Sequence, residues 1–429
     1  MNKKILSYSI FTSLTVIASQ SAMARLDNPY AFPNDVPDIP FVGEGIKKSP
    51  DYSLVQVHLG GDIGAYYNDN IFRSPNDKEG DFITVINPGI ALETNFEDHD
   101  FNAYAQFESN IYASNSESNY TDIEFGMDGD YALSDTHQIF GELSLGQYHS
   151  PIGALIDDPN DQLAEPVSYF ASKSEIGIAA TFEKWIYSVS GLWNTYDYDD
   201  TKRRNGTVSI QDDRDRDDLA LKLKTGYRVS PQTIAYVQGG LNQRSYDERI
   251  DSSAAFTRDS DGYEILTGLH FDNDKNLDTD IAVGFARQDY DAAQLPSVSI
   301  PAFLIGTTWD MDAKNQFRFQ ADSSIKDTTT TGVSAYVQNR FRVNYTHDLN
   351  DIFEIGLEGQ YLNNNFETNS SLNPIDREDD IYQAEIYGEY EIYDDIDLNI
   401  SYEYRDRQSN VATAEYDSHI IGARLMFDY

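Results

Sequence analysis

The chain has 429 residues, with 31 Lys and Arg against 72 Asp and Glu, and a net charge of -41 that repels nucleic-acid phosphates and excludes DNA or RNA as partners. It contains no cysteine, which excludes disulfides and thiolate metal sites. So charged a chain would suit disorder, except that 13% of its residues are aromatic and its 30 Tyr outnumber its 22 Phe, a composition favoured at a membrane-water boundary.

Residues 1–24 read as a secretory signal peptide: Lys3 and Lys4, an uncharged apolar run from Ile5 to Ala18, then an A-x-A pattern at Ala22 to Ala24. The run is short for a membrane anchor, which needs about 20 apolar residues. Cleavage near Ala24/Arg25 removes two lysines, leaving 29 basic against 72 acidic residues, a charge of -43. Residues 25–51 carry Pro29, Pro33, Pro37, Pro40 and Pro50, so they form no regular helix and read as an extended periplasmic lead-in.

From residue 52 to 429 the chain alternates with period 2, as strands do. The stretch DIEFGMDGDYAL at 122–133 is the clearest case, with Ile123, Phe125, Met127, Tyr131 and Leu133 on one parity and Asp122, Glu124, Asp128 and Asp130 on the other. Strands are expected around Val55 to Tyr67, Ile86 to Leu92, Ala103 to Ile111, Ile123 to Leu133, Ile139 to Leu145, Ile176 to Phe182 and Trp185 to Trp193. They continue at Leu219 to Tyr227, Ile234 to Tyr246 with parity unclear, Tyr263 to Phe271, Leu277 to Phe285, Phe303 to Trp309, Phe317 to Phe319 and Ala335 to Tyr345. The last four are Phe353 to Tyr361, Tyr382 to Tyr390, Leu398 to Tyr404 and Ile421 to Tyr429, which makes 18, to within about two.

Long polar links (68–81, 149–168, 197–217, 247–262, 364–379) alternate with tight ones (97–100, 134–137, 230–232, 272–276, 348–351). That alternation predicts an all-β, up-and-down antiparallel barrel spanning the bacterial outer membrane, with short periplasmic turns and long outer loops. A soluble β-sandwich also alternates, but has no reason to segregate its links. Only a closed sheet pairs all its backbone groups in hydrocarbon, so Ile123, Phe125 and Met127 are expected to face lipid and the carboxylates to face water inside. The chain's final strand, ending HIIGARLMFDY, resembles the terminal signal by which outer-membrane barrels are recognised, making the insertion machinery an expected partner through Tyr429, beside the bilayer and lipopolysaccharide.

A barrel of this size leaves an aqueous lumen unless something plugs it. Inward parity gives Tyr104, Glu108, Asp122, Glu124 and Asp128, then Glu354, Glu358, Glu385, Tyr387 and Glu389, opposed by Lys222, Lys224, Arg228, Arg318, Arg340 and Arg342. Rings of charge filter solutes, so this electrostatically divided set is the candidate substrate path; individual members also suit cross-strand pairing. No cofactor is implied. Asp272, Asp274 and Asn276 mimic the start of a calcium loop, but Leu277 stands where that loop needs glycine. The acidic runs at 212–218 and 376–380 suit solvated loops, salt bridges or divalent cations shared with lipopolysaccharide.

YNDNIFR at 67–73, DRDRDDLALKLKTGYRVSP at 213–231 and FTRDSDGYEILTGLHFD at 256–272 resemble motifs of the putative beta-barrel porin 2 family, which includes outer-membrane proteins of exopolysaccharide and capsule operons. The resemblance covers about Tyr52 to Tyr429 and implies an 18-stranded conduit that passes polysaccharide to the surface, with periplasmic export components as partners. A diffusion porin is the alternative, with residues 149–168 long enough to fold inward as a constriction. A rim hydrolase built on Asp417 and His419 is a remote third reading, because no serine sits two residues away on the same face and no second carboxylate pair can be assigned opposite them.

Overall fold

The computed structural model describes residues 55–428 apart from 97–98, 151, 154–161, 248–255, 274, 329, 331 and 370–375. The signal peptide, the proline-rich lead-in, Asp274 and Tyr429 lie outside the described residues. Strands β1 (Val55–Asn68), β2 (Asp81–Asn95), β3 (His99–Tyr112), β4 (Tyr120–Ser134), β5 (His137–Ser150), β6 (Val167–Phe182) and β7 (Trp185–Tyr198) run up and down in succession. Two short strands, β8 (Thr201–Lys202) and β9 (Val208–Ser209), form a separate hairpin within one loop. The wall resumes with β10 (Arg216–Ser230), β11 (Thr233–Tyr246), β12 (Ser260–Asp272), β13 (Leu277–Tyr290), β14 (Val298–Asp312) and β15 (Asn315–Lys326). It ends with β16 (Val333–Asn350), β17 (Phe353–Thr368), β18 (Glu378–Tyr393), β19 (Ile396–Ser409) and β20 (Tyr416–Asp428).

Every pairing in the 18-stranded sheet is antiparallel between neighbours, and β1 also pairs with β20 from Gly60↔Asp428 to Asn68↔Ile420, so the sheet closes on itself. All eighteen expected strands are present, and the even number puts Val55 and Asp428 at the same end as the tight turns. The other end carries the longer loops. It also carries two six-residue links, 327–332 and 410–415, so the alternation of long and short is less strict than the sequence suggests.

The burial pattern is inverted relative to a soluble domain. Ile281, Val283, Ile176, Ile400 and Leu425 are about half exposed on the outer face, while Asp62, Glu175 and Arg424 are buried inside. Hydrocarbon is the medium that such an outer face requires. Aromatic girdles edge the band: Phe303, Phe341, Tyr361 and Tyr382 follow one another toward the loop end at ring separations of 6.1, 6.0 and 5.1 Å, and Trp185 meets Tyr227 at 4.9 Å near the turns.

One join in the wall is incomplete. β14 stays paired with β13 up to Val298, but its pairing with β15 stops at Leu304↔Asp322. Above that point β14 is an edge, and Pro301, which has no N–H to leave unpaired, sits on it. Ser323 Oγ accepts the Phe303 N–H at 3.2 Å and donates to the Pro301 carbonyl at 3.1 Å, satisfying two groups that the split would orphan. Ser323→Ala is expected to cost about 1–3 kcal/mol, read as a lower denaturant midpoint in lipid vesicles, whereas Ser299→Ala, on the exposed outer face of the same edge, should cost little.

Candidate functional site

Where β15 parts from β14, the hairpin it makes with β16 turns into the lumen, with β16 still paired to β17 as far as Val333↔Thr368. The sequence prepares both surfaces of that contact. VSIPAFLI at 298–305 is apolar on both parities, as a strand buried on two faces must be. Its inward residues Val298, Ile300 and Ala302, with Tyr236, Leu266, Ala282 and Ala286 from β11 to β13, form a shelf on the inner wall. Ile325 and Ala335, with Val337 beside them, lie on that shelf. These hairpin residues share the parity that faces lipid lower on the same strands, at Phe317 and Phe341, so the hairpin shows its outward face to the inside of the barrel.

The tip of the hairpin is pinned at the far side of the shelf. Asp327 lies 2.6 Å from Arg244 Nη1 on β11 and 3.6 Å from Arg216 Nε on β10, four and five places round the wall from β15. Arg216 also meets Asp218 at 3.3 Å and lies over the Tyr196 ring at 4.3 Å. Burial would raise the Asp327 carboxyl, but Arg244 and Arg216 outweigh it and hold the group below the usual carboxylate range. Nearby, burial together with Asp197, Asp212 and Asp247 pushes the loop carboxyl of Asp215 up to about 6, against the opposing hydrogen bond from the Tyr198 amide.

The rest of the outer mouth is filled in the same manner. Arg377 and Arg407 share the fully buried Asp379 at 2.9 and 2.6 Å, and Arg258 reaches Asp213 at 3.8 Å. The acidic runs at 212–218 and 376–380 therefore contribute arginines and partners to buried ion pairs. Ile152 and Leu163, at the ends of the 149–168 link, pack on Tyr169, Ala171, Tyr196 and Tyr198 of the inner wall; residues 154–161 between them are outside the described set. Both the hairpin and the described ends of that link therefore lie against the inner wall.

The sequence-derived lumen residues all fall on the inward parity, in several small groups. Tyr104 donates to Glu124 at 2.5 Å, and its ring lies flat over Gly126, where a Cβ would fall 2.2 Å from it. Tyr387 lies over Gly356 in the same way and donates to Glu354 at 3.3 Å. Glu108 accepts from Asn110, Asp122 from His149 and Asp128 from Asn102, at 2.8, 2.7 and 2.9 Å. Lys222 stands 3.7 Å from Glu175, and Lys224 lies over the Tyr236 ring at 4.3 Å. Arg340 binds Asp322, and Arg342 binds Glu358, both at 2.7 Å. Glu385 sits between Glu358 and Glu403 in register, and Glu389 accepts from Asn399 at 3.5 Å. Arg318 is in register with Asn344, and half-buried Arg228 lies near the turns.

This corrects the expected opposition of acidic and basic arcs. Arg340 and Arg342 neighbour the carboxylates of β15 and β17 instead of facing them across the lumen. The division runs along the axis: arginines crowd the loop end, whereas in the eight turn-proximal residues of each strand the inward Lys and Arg among the described residues are Lys224, Arg228, Arg318 and Arg424. Asp417 and His419 lie on the outer face 4.0 Å apart, with Asp417 bound to Lys78 at 2.5 Å and His419 to the Tyr402 hydroxyl at 2.8 Å. Among the described residues no group of three or more His, Asp or Glu is placed to hold a metal ion.

The sequence profile of the family described as putative beta-barrel porin 2 matches residues 61–429, nearly the whole barrel. The chain belongs to that family. Solved outer-membrane barrels are among the structures similar to it. The siderophore receptor PirA from Acinetobacter baumannii is 8% identical, with 86% of this chain and 80% of that chain covered at a TM-score of 0.44. OccK3 (OpdO) from Pseudomonas aeruginosa is 13% identical, with 87% and 96% covered at 0.42. No curated protein matches the chain. The family and the closed 18-stranded barrel make this chain a porin-type outer-membrane barrel.

Proposed function

We propose that the barrel is a conduit for exopolysaccharide or capsular polysaccharide passing from the periplasm to the cell surface. The observation that carries this reading is the outer mouth. The inward hairpin and the buried ion pairs around Asp327 and Asp379 narrow the lumen from its outer end, a form that suits a channel closed at rest. A diffusion porin would have to stay open to small solutes at all times. The flat rings of Tyr104 and Tyr387, each over a glycine on the next strand, add broad aromatic faces to a wall of carboxylates and amides, the groups that bind sugars by stacking and hydrogen bonding. In this reading the sixteen lumen residues from Tyr104 to Glu389 named above form the substrate path, and lipopolysaccharide and periplasmic export components are its partners.

Deleting the gene, with a plasmid-borne copy as control, tests the proposal. Polymer is expected to leave the surface and accumulate in the periplasm, and the plasmid should restore it. Unchanged surface polymer together with slower uptake of small solutes would replace this reading with that of a diffusion porin.

A further inference from the structure

We infer that the turn-side half of the lumen is a charge filter that admits uncharged, hydroxyl-rich glycans and turns polyanionic ones away. The identity of the cargo as glycan rests on the export reading; the filter itself rests on the wall. Carboxylates there stand directly opposite one another across neighbouring strands. Asp100 faces Asp130, and Asp128 faces Glu142, which in turn faces Glu175. On a second arc Glu354 faces Glu389, Glu391 faces Asp397, and Glu358, Glu385 and Glu403 form a row of three whose outer members also meet Arg342 and Arg405.

Like charges placed directly opposite destabilise a sheet, and this barrel repeats the arrangement on two separate arcs. A pattern that costs stability repeatedly is a mark of function. A second observation concerns unmet hydrogen bonds. Glu175 is 5% exposed and neither of its carboxylate oxygens has a hydrogen-bond partner, its ion pair with Lys222 being 3.7 Å long; Asp62, 3% exposed, leaves Oδ1 unpaired. Ionised carboxylates only accept, so their complement is a ligand rich in donors. Sugar hydroxyls supply donors. A polyuronate brings further carboxylates into a space where they already outnumber the inward Lys and Arg, between low-dielectric walls that focus the field.

The absence of cysteine makes a direct test available. Ala132 lies on the inward face of β4, two residues beyond Asp130 toward the turn end, and Ala132→Cys would place a single thiol in the vestibule. The purified full-length variant is treated with a thiol-reactive neutral hexasaccharide and with a thiol-reactive oligogalacturonate of the same length, each rate being divided by that with a free thiol. The neutral reagent is expected to react at least about tenfold faster. Adding Asp128→Asn, Asp130→Asn and Glu142→Gln should bring the ratio toward one, and these changes relieve repulsion, so the barrel keeps its fold. Equal rates, a ratio unmoved by neutralisation, or no reaction with either sugar would each overturn the filter. A normal polymer distribution after gene deletion would instead overturn the export reading and leave the measured charge bias standing.

Discussion

Asp327→Ala raises the single-channel conductance of the reconstituted barrel, and a further change of Ile325 to Asp raises it again. Two contacts hold the free β15 side of the hairpin, while β16 stays paired with β17 as far as Val333↔Thr368. Its tip is held by a carboxylate 4% exposed between two guanidiniums of similar burial. Removing one partner of a buried pair costs about 3–5 kcal/mol, because a charge remains without compensation. Arg216 keeps Asp218, so the loss falls mainly on the contact with Arg244. The shelf is the second attachment, and burial of one side chain the size of Ile325 contributes about 1.5–3 kcal/mol. Losing the latch therefore loosens the tip, and losing the shelf contact as well loosens the hairpin further. The expected order is wild type, then Asp327→Ala, then the double variant. Equal conductance in all three would mean that the hairpin does not limit the pore.

Val283→Arg should lower the stability of the barrel in bilayers by about 2–4 kcal/mol, whereas Asp278→Arg on the same strand should change it little. Val283 is 56% exposed on the outer face, midway along β13, where a guanidinium would meet hydrocarbon. Asp278 points inward near the turns, with its side chain 54% exposed to the lumen. Denaturant midpoints in vesicles read both. A larger loss for Asp278→Arg would reverse the assignment of faces to media.

The strand pattern was legible because lipid outside and water inside impose opposite demands on successive residues. The pattern fails where that premise fails. β11 has no clear parity because Ile234 and Tyr236 are apolar on the inward side, while Val237 and Leu241 are apolar on the outward side; Tyr236 belongs to the shelf. β14 reads as continuously apolar for the same reason. The hairpin left its own trace, since Ala321, Ser323 and Ala335 are small on the parity that elsewhere carries large lipid-facing side chains. Pro301 in mid-strand is a further trace of the edge. What periodicity does not carry is height along the axis, because it assigns a face and not a level. The axial separation of charge therefore emerged only from the register, as did the pairing of Arg342 with Glu358.

The seam between β1 and β20 bears on how the protein is made. Every other strand pair in the wall joins consecutive wall strands, whereas the bonds at the seam link the two ends of the barrel: Asn70 Nδ2 donates to the Asp417 carbonyl across 347 residues, and the His419 amide to Asp69 across 350. Closing a flexible loop of that length costs about 5 kcal/mol in chain entropy. An open sheet that has already formed its other pairs escapes most of this cost, so the favourable order of assembly is hairpins first and seam last. Until that step two raw strand edges face the surroundings, and β20, the last wall strand in chain order, decides when they meet.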